Sequence, residues 1–261
     1  MRIAALCGLA VMLGACTPSA GTDGAPSELS PSDLQSGYAF LTPETQQLQD
    51  DPFENPGYLW VDRGARLFQV SEAAASPSCA ACHAEGLNGA ASRYPAIEPG
   101  SKRLINLEGR INQCRTEHQE LEPLAYESED LLALTAYVAN QSHGAPYGAP
   151  PSADLQPYIE AGRSYFETRR GLMNLSCRQC HTETWGKALR GDTISQGHGN
   201  GFPAYRFEWQ SLGSLHRRFR DCDMGVRAEP LPYGDDTYVA LELYLATRGA
   251  GLEIETPGVR R

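Results

Sequence analysis

The sequence lacks an excess of basic residues and, after Asn55, any long apolar run. Its 261 residues contain 22 Lys and Arg against 32 Asp and Glu, which gives a formal net charge of −10. Because nucleic acids are bound by basic surfaces, this acidic balance excludes nucleic acid as an expected partner. The missing apolar runs exclude a membrane-spanning segment from the chain after Asn55.

The first residues have the composition of an export signal. Arg2 precedes an apolar stretch, residues 3–13, that is too short to span a bilayer. The stretch ends in a Leu-Gly-Ala-Cys box that resembles a bacterial lipobox and would make Cys16 a lipid anchor; ordinary cleavage a few residues later is the alternative. We predict a signal or lipobox segment over residues 1–20, a flexible tether over 21–46, and export to the periplasm.

Eight cysteines are present, and four of them form two copies of one motif. Residues 79–83 read Cys-Ala-Ala-Cys-His, and residues 177–181 read Cys-Arg-Gln-Cys-His. C-x-x-C-H is the attachment signature of c-type haem, in which two thiols bond to one porphyrin and the adjacent His binds the iron. A redox disulfide or half a zinc site is a weaker explanation of two such copies. The predicted attachment residues are Cys79, Cys82, Cys177 and Cys180, and the predicted proximal ligands are His83 and His181.

The flanks of the two motifs repeat as well. Gly64 and Gly162 each lie fifteen residues before the first cysteine of a motif, and each is followed four residues later by Phe. A Gly and an aromatic residue at this spacing favour a helix that packs closely on another helix. Downstream, residues 122–126 align with 229–233, and an apolar pattern with helical spacing follows each copy.

These repeats predict the fold class. We expect a mostly α protein with two tandem class I-like cytochrome c domains, each with one covalently bound haem. The first domain is predicted over residues 47–146 and the second over residues 147–261. A Pro- and Gly-rich joint at residues 143–152 separates them.

Methionine is scarce, which limits the distal ligands of the two irons. After the leader the chain has only Met173 and Met224, so Met cannot bind both irons. Each unit has one lone cysteine at an equivalent place, in Arg-x-x-x-Cys sequences that end at Cys114 and Cys222. We predict that both are distal thiolate ligands, since thiolate is a soft donor that stabilises ferric iron.

Three alternatives to thiolate ligation remain open at this point. His118 or His143 could bind the first iron. Cys114 and Cys222 could pair as a disulfide in an exported protein. Met224 could bind the second iron and leave Cys222 free.

Cationic residues cluster beside Cys222. Arg217, Arg218 and Arg220 all lie within the five residues before it. Arginine suits the multidentate binding of an oxyanion such as sulfate, sulfonate or phosphate. A solvated basic helix face is the plain alternative, but the neighbouring thiol favours a functional site.

From about Leu48 to the C-terminus the chain resembles the SoxA family, the dihaem cytochrome subunits of bacterial sulfur oxidation. The most specific parts of the resemblance are Arg-Phe-Arg-Asp-Cys at residues 218–222, Ser-Gln-Gly at 195–197 with Asn-Gly-Phe-Pro at 200–203, and the C-terminal stretch 241–260. The lipobox departs from the family, whose members are described as soluble in the periplasm.

The resemblance implies a function. Such subunits work with a monohaem cytochrome, SoxX, as an L-cysteine S-thiosulfotransferase. The enzyme joins thiosulfate to a cysteine thiol of the carrier SoxYZ and passes two electrons to a small cytochrome c. By resemblance, Cys222 is the catalytic residue and Arg218 contacts the substrate anion, with Arg217 or Arg220 assisting. The rival interpretations are a thiosulfate dehydrogenase that forms tetrathionate and a dihaem electron carrier without a substrate.

Overall fold

Helices predominate in the protein. The structure, a computed structural model, describes residues 29–148 and 152–261; the predicted leader with Cys16 lies outside these ranges. The helices are α1 (Pro43–Asp50), α2 (Tyr58–Gln69), α3 (Cys79–Cys82), α4 (Leu107–His118), α5 (Glu129–Asn140), α6 (Gln156–Glu167), α7 (Cys177–His181), α8 (Leu215–Gly225) and α9 (Asp236–Arg248). No helix within the described ranges is long and apolar enough to cross a bilayer.

The strands are short and serve as connections. They are β1 (Ala96–Ile97), β2 (Leu104–Ile105), β3 (Ala188–Leu189), β4 (Asp192–Thr193), β5 (Ala204–Arg206), β6 (Ser211–Gly213) and β7 (Gly258–Arg260). β1 pairs antiparallel with β2, and β3 pairs antiparallel with β4. In the three-stranded sheet, β5 lies between antiparallel β6 and parallel β7.

A close helix pair forms the frame of the N-terminal unit. α2 packs along α5, and a Cβ built on Gly64 would overlap the carbonyl oxygen of Ala133 and lie 2.6 Å from the Cβ of Tyr137. One turn later, the rings of Phe68 and Tyr137 have a centroid distance of 5.3 Å. The glycine and the aromatic residue four positions on therefore set the distance between the two helices.

The C-terminal unit repeats this arrangement with α6 and α9. A Cβ on Gly162 would overlap the carbonyl oxygen of Ala240 and lie 2.7 Å from the Cβ of Tyr244. The rings of Phe166 and Tyr244 have a centroid distance of 5.3 Å. The predicted repeat of the helix pair is thus confirmed, and each C-x-x-C-H motif follows the first helix of a pair.

The residues before α2 do not form a free tether. Single helical turns occur at Pro31–Asp33 and Gly37–Phe40. The backbone N–H of Gln35 donates to Oε1 of Gln196 at 2.8 Å, across 161 positions of sequence. The described part of the predicted tether, residues 29–46, therefore contacts the second unit through a hydrogen bond that local composition does not reveal.

The C-terminal residues lie against both units. The amide of Val259 in β7 donates to Oε1 of Gln49 at 2.9 Å, and α1 packs on this strand. The joint between the units is also fixed, because the amide of Tyr147 donates to the carbonyl of Leu252 at 2.8 Å. The end of the chain thus ties the N-terminal segment and the joint to the second unit.

Charged groups are buried where the two units meet. Glu108 of α4 is 7% exposed and Glu242 of α9 is 8% exposed. Both line a cavity of about 80 Å³, together with the buried Asn200. Nε2 of the fully buried His216 lies 3.2 Å from Glu242, and its Nδ1 accepts from the amide of Gly234 at 3.0 Å.

The ionisable groups around this cavity shift each other's pKa values. Burial raises the pKa of Glu108 to about 8, and the Glu242 carboxylate adds to the rise. Burial alone would lower the pKa of His216, but the Glu242 carboxylate outweighs it and raises that pKa. Near neutral pH, Glu108 is therefore mostly protonated. Because Nδ1 of His216 accepts a hydrogen bond, the ring proton lies on Nε2, which faces the Glu242 carboxylate.

We expect Gly64→Ala and Gly162→Ala each to lower the free energy of unfolding by about 1–3 kcal/mol, because the new methyl group overlaps a backbone carbonyl of the facing helix. Thermal unfolding followed by circular dichroism measures the effect. Gly225→Ala is the control, since a Cβ there would meet nothing within 4 Å. Equal stabilities of all three variants would contradict the packing argument.

We expect Glu108→Gln to flatten the pH dependence of stability. The folded pKa of Glu108 is raised from 4.5 to about 8, so its contribution to stability is present below pH 4.5 and is lost as the pH rises to about 8. The slope removed by the variant is at most about 1.4 kcal/mol per pH unit. Urea unfolding across this pH range measures it, with Glu54→Gln at an exposed position as control; parallel curves for wild type and E108Q would refute the assignment.

Candidate functional site

Each C-x-x-C-H sequence forms one short helical turn. In α3 the hydroxyl of Ser78 accepts from the amide of Ala81 at 3.2 Å. In α7 the amide of Ser176 donates to Oε1 of Gln179 at 2.9 Å. Within a helical turn, residues three apart lie on the same side, so the two thiols of each motif share one face. The four motif cysteines are free thiols, as are Cys114 and Cys222.

The imidazole of His181 is held in one tautomer. Its Nδ1 lies 2.7 Å from the carbonyl oxygen of Ser195, which can only accept a hydrogen bond. Nδ1 therefore carries the proton and Nε2 is free to bind a metal. Burial lowers the pKa of His181 to about 4, so the ring is neutral, as an iron ligand must be. Gly197 lies against the ring, where a Cβ would be 2.8 Å from Cγ of His181.

The first motif is fixed from α4 and α2. The side-chain amide of Gln119 donates to the carbonyl of Pro77 at 2.7 Å and contacts Sγ of Cys79 at 3.8 Å. The rings of Phe68 and His83 have a centroid distance of 6.5 Å. The helix pair thus reaches the motif directly through the predicted aromatic residue.

The two lone cysteines occupy the same position of equivalent helices. Cys114 is the eighth residue of α4 and Cys222 the eighth of α8. The charge of Cys114 acts on Cys79, and that of Cys222 acts on Cys177, so each lone cysteine lies beside its own motif. Burial raises the pKa of the Cys114 thiol, against the opposing charge of Arg110.

This placement bears on the alternatives for the distal ligands. Cys114 and Cys222 lie beside different motifs as free thiols, which disfavours a disulfide between them. Met224 is 53% exposed, and His118 and His143 are exposed as well. His118 and His143 have no counterpart in the second unit, whereas Cys114 and Cys222 occupy equivalent helix positions.

A buried carboxylate anchors α8 directly after Cys222. Asp223 is 3% exposed and accepts from the hydroxyls of Tyr165 at 2.7 Å and Tyr238 at 2.6 Å. Arg170 pairs with the other carboxylate oxygen at 3.4 Å and contacts Sγ of Cys177 at 3.6 Å. α8 is therefore fixed to α6, to α9 and to the second motif around the residue next to Cys222.

The predicted arginine cluster does not form one patch. The guanidinium of Arg217 lies 4.5 Å from the ring centroid of Trp209 and donates to the hydroxyl of Ser211 at 3.1 Å. Arg220 donates to the carbonyl of Leu231 and lies over the ring of Tyr233. Both guanidinium groups are therefore held by the protein on other sides of α8.

Arg218 differs from its neighbours. It lies one helical turn before Cys222, so the two side chains share a face of α8. The charge of Cys222 raises the pKa of Arg218. Within residues 29–148 and 152–261, no hydrogen bond or ion pair holds its guanidinium group.

The acidic residues around Arg218 have other partners. Glu208 pairs with Arg206 at 3.5 Å, and Asp221 accepts from Nε1 of Trp209 at 2.7 Å. Asp192 pairs with Arg261 at 3.4 Å. The Arg218 guanidinium is therefore available to an anion near Cys222.

Several residues of the site were not assigned a role from the sequence. Ser195 and Gly197 belong to a stretch that carried the resemblance, but their contact with His181 spans 14 and 16 positions of sequence. The anchoring by Asp223 depends on Tyr165 and Tyr238 from two other helices. Only the adjacency of an acid to Cys222 was visible in the sequence.

The paired thiols, the neutral imidazole and the lone cysteine beside them fit a covalently bound haem, which needs two cysteine sulfurs for its thioether bonds, a proximal nitrogen and a distal donor. Fold and site together define a c-type cytochrome.

Comparison with known proteins specifies the family. Residues 63–147 match the family model described as SoxA/TsdA, cytochrome c domain. The SoxA subunit of L-cysteine S-thiosulfotransferase from Pseudaminobacter salicylatoxidans is 41% identical over 230 residues, which cover 87% of this chain and 80% of the relative. The corresponding subunit from Rhodovulum sulfidophilum is 36% identical over 231 residues, with the same coverage.

A solved structure supports the same assignment. The crystal structure of SoxXA from P. pantotrophus matches with a TM-score of 0.83 and 33% sequence identity, over 87% of each chain. The chain belongs to the SoxA family, as the resemblance implied.

We expect Gly197→Ala to disturb the haem environment and Gly186→Ala to leave it unchanged. Both glycines have positive φ, +78° and +81°, so both variants carry a similar strain of about 1–2 kcal/mol. Only the methyl group at position 197 would press on the His181 ring. The absorption spectrum of the purified haem protein measures this, and identical spectra of the two variants would contradict the assigned role of Gly197.

Proposed function

We propose that the chain is the dihaem subunit of an L-cysteine S-thiosulfotransferase. The enzyme couples thiosulfate oxidatively to a cysteine thiol of the carrier SoxYZ. The observation that carries the proposal is the pair Arg218 and Cys222, in which an unpaired guanidinium group lies one helical turn from a thiol beside the second C-x-x-C-H motif. The equivalent Arg110 donates to Gln113 at 2.8 Å, so the first unit offers no such group.

We assign one haem to each of two tandem cytochrome c domains, residues 47–146 and 147–261. Cys79 and Cys82 attach the first haem, and Cys177 and Cys180 attach the second. His83 with Cys114 would hold the first iron, and His181 with Cys222 would hold the second. The equivalent helix positions of the two lone cysteines support this symmetric assignment.

The residues around Cys222 account for the chemistry. Thiosulfate and a thiolate are both nucleophiles, so joining them as Cys222–S–S–SO₃⁻ releases two electrons. A c-type haem, when bound, accepts such electrons singly and passes them to an electron-transfer partner. Arg218 holds the sulfonate end through charge-assisted hydrogen bonds and orients the outer sulfur toward Cys222.

Transfer to the carrier completes the reaction. The carrier thiolate attacks the sulfur bonded to Sγ of Cys222, which was the outer sulfur of thiosulfate. The Cys222 thiolate leaves, and the product is carrier–S–S–SO₃⁻. This exchange changes no oxidation state beyond the two electrons already removed. Arg217 and Arg220 have protein partners, and we assign them an auxiliary role in the field around the anion.

The partners follow from the same proposal. The SoxXA structure that the chain resembles supports a monohaem SoxX subunit as its partner. SoxYZ supplies the acceptor thiol, and a small cytochrome c accepts the electrons. Export to the periplasm through residues 1–20, with or without a lipid on Cys16, brings the chain to these partners.

We expect Arg218→Ala to lower kcat/KM for thiosulfate by about 10–100-fold, because a charge-assisted contact of about 1.5–3 kcal/mol is lost. The rate of cytochrome c reduction by the complex of this chain with SoxX, in the presence of SoxYZ, measures the effect. Arg218→Lys should restore part of the rate, and Arg66→Ala at an exposed position of the first unit is the control. Full turnover of R218A at low thiosulfate would remove Arg218 from the site.

We expect the intact mass of the exported protein to exceed the mass of the processed polypeptide by two haems. Replacement of Cys177 and Cys180 together by Ala should remove one haem, since both thioether bonds of the second unit are lost. Cys114→Ser should keep both haems, because an axial ligand makes no covalent bond to the porphyrin. A wild-type mass with one haem would overturn the dihaem assignment.

A further inference from the structure

The residue at the end of the last helix differs in charge between the two units. The helix repeat relates α5 to α9, with Ala133 opposite Gly64 and Ala240 opposite Gly162. At the same offset, Gln141 of the first unit corresponds to Arg248 of the second. The two units therefore have a neutral and a cationic side chain at the same place.

Arg248 binds both segments that hold the His181 ring. Its Nη2 donates to the carbonyl of His181 at 2.7 Å and to the hydroxyl of Thr182 at 2.9 Å. Its Nη1 donates to the carbonyl of Gln196. Because the neighbouring Ser195 carbonyl accepts from Nδ1 of His181, these bonds connect the motif to the loop that orients its imidazole.

The guanidinium group cannot move away from this position easily. It lies 4.9 Å from the centroid of the buried Phe166 ring, on the helix pair that frames the second unit. A charge that is held by backbone carbonyls on both sides keeps a fixed distance from the imidazole. Its field at the second iron is therefore permanent and only partly screened by water.

Gln141 makes a comparable bridge without a charge. Its Oε1 accepts from the amide of Leu87 at 2.8 Å, four residues after His83. The side chain thus ties the last helix of the first unit to the loop after the first motif. Unlike Arg248, Gln141 adds no positive charge near His83.

We propose that Arg248 is a positioning residue that orients His181 and makes the second haem easier to reduce than the first, although both irons have the same ligands. The inference rests on the proposed function, because it takes His83 and His181 as the proximal ligands. A fixed positive charge near the iron favours the ferrous state, which has one positive charge less than the ferric state. The difference favours electron uptake at the iron beside Cys222, where thiosulfate releases electrons.

The test is a redox titration of the purified complex with SoxX, in which the low-spin ferric signals of this chain's two haems are followed by electron paramagnetic resonance and distinguished from the signal of the SoxX haem. Arg248→Gln gives the second unit the side chain of the first and should lower one midpoint potential. We expect about a tenfold smaller equilibrium constant for reduction of that haem, or about 59 mV. Arg248→Lys keeps the charge and should keep most of the potential.

The reciprocal variant identifies the haem. Gln141→Arg should raise the midpoint potential of the other signal and leave the first one in place. Arg103→Gln removes a charge that is exposed at the opposite end of α9 and paired with Asp236, and it should shift neither signal. The signal that R248Q leaves unchanged serves as the internal control for folding.

The outcomes separate this inference from the proposed function. Two covalent haems with no shift in R248Q and Q141R, or an equal shift in R248K and R248Q, would overturn the role of the Arg248 charge and leave the thiosulfotransferase proposal standing. Loss of the second haem from the wild-type protein would overturn the proposed function itself. Should R248Q lose its second haem, the other two variants decide the question. Q141R should raise the potential of the first haem, and R248K should keep most of the potential of the second.

Discussion

The contact of a glycine with a backbone carbonyl, made once in each unit, is the constraint on which the rest of the structure depends. Gly64 meets Ala133 and Gly162 meets Ala240 at distances that exclude any side chain. The contact brings each first helix close to the last helix of its unit, so the motif after the first helix and the residue at the end of the last helix become neighbours. The positions of His181 and Arg248 follow from it.

Two equivalent frames hold centres of different character. Next to Cys114, Arg115 pairs with Glu72 at 2.5 Å, and Arg110 donates to Gln113, so these two guanidinium groups have partners in the protein. Next to Cys222, the buried Asp223 fixes the helix, and the Arg218 guanidinium keeps its hydrogen-bonding capacity. One unit is therefore suited to holding a cofactor, and the other also to binding an anion.

The parts of the fold that depend on local pattern could be predicted from the sequence. The C-x-x-C-H spacing, the Gly and Phe pairs and the helical pattern of the last helix of each unit are properties of neighbouring residues, and all of them appear in the structure. The equivalent positions of Cys114 and Cys222 also followed from sequence alignment of the two halves.

Contacts between distant residues could not be predicted in this way. The binding of Gln35 by Gln196 joins residues 161 positions apart, and hydrophobic periodicity carries no signal for it. The burial of Glu108 beside Glu242 is also hidden, because a charged residue on a helix is normally assigned to the surface. The adjacent arginines before Cys222 suggested one patch, but successive residues of a helix point in different directions, and Trp209 and Tyr233 take two of them.

The mass of the peptide that contains Cys222 shows whether thiosulfate is transferred through a covalent bond to this thiol. The holoprotein with its SoxX partner is treated with thiosulfate and oxidised cytochrome c, digested, and measured before and after addition of SoxYZ. We expect an added –S–SO₃ group on Cys222 that disappears when the carrier is added and then appears on the carrier thiol. An unmodified Cys222 during continued transfer to the carrier would contradict it.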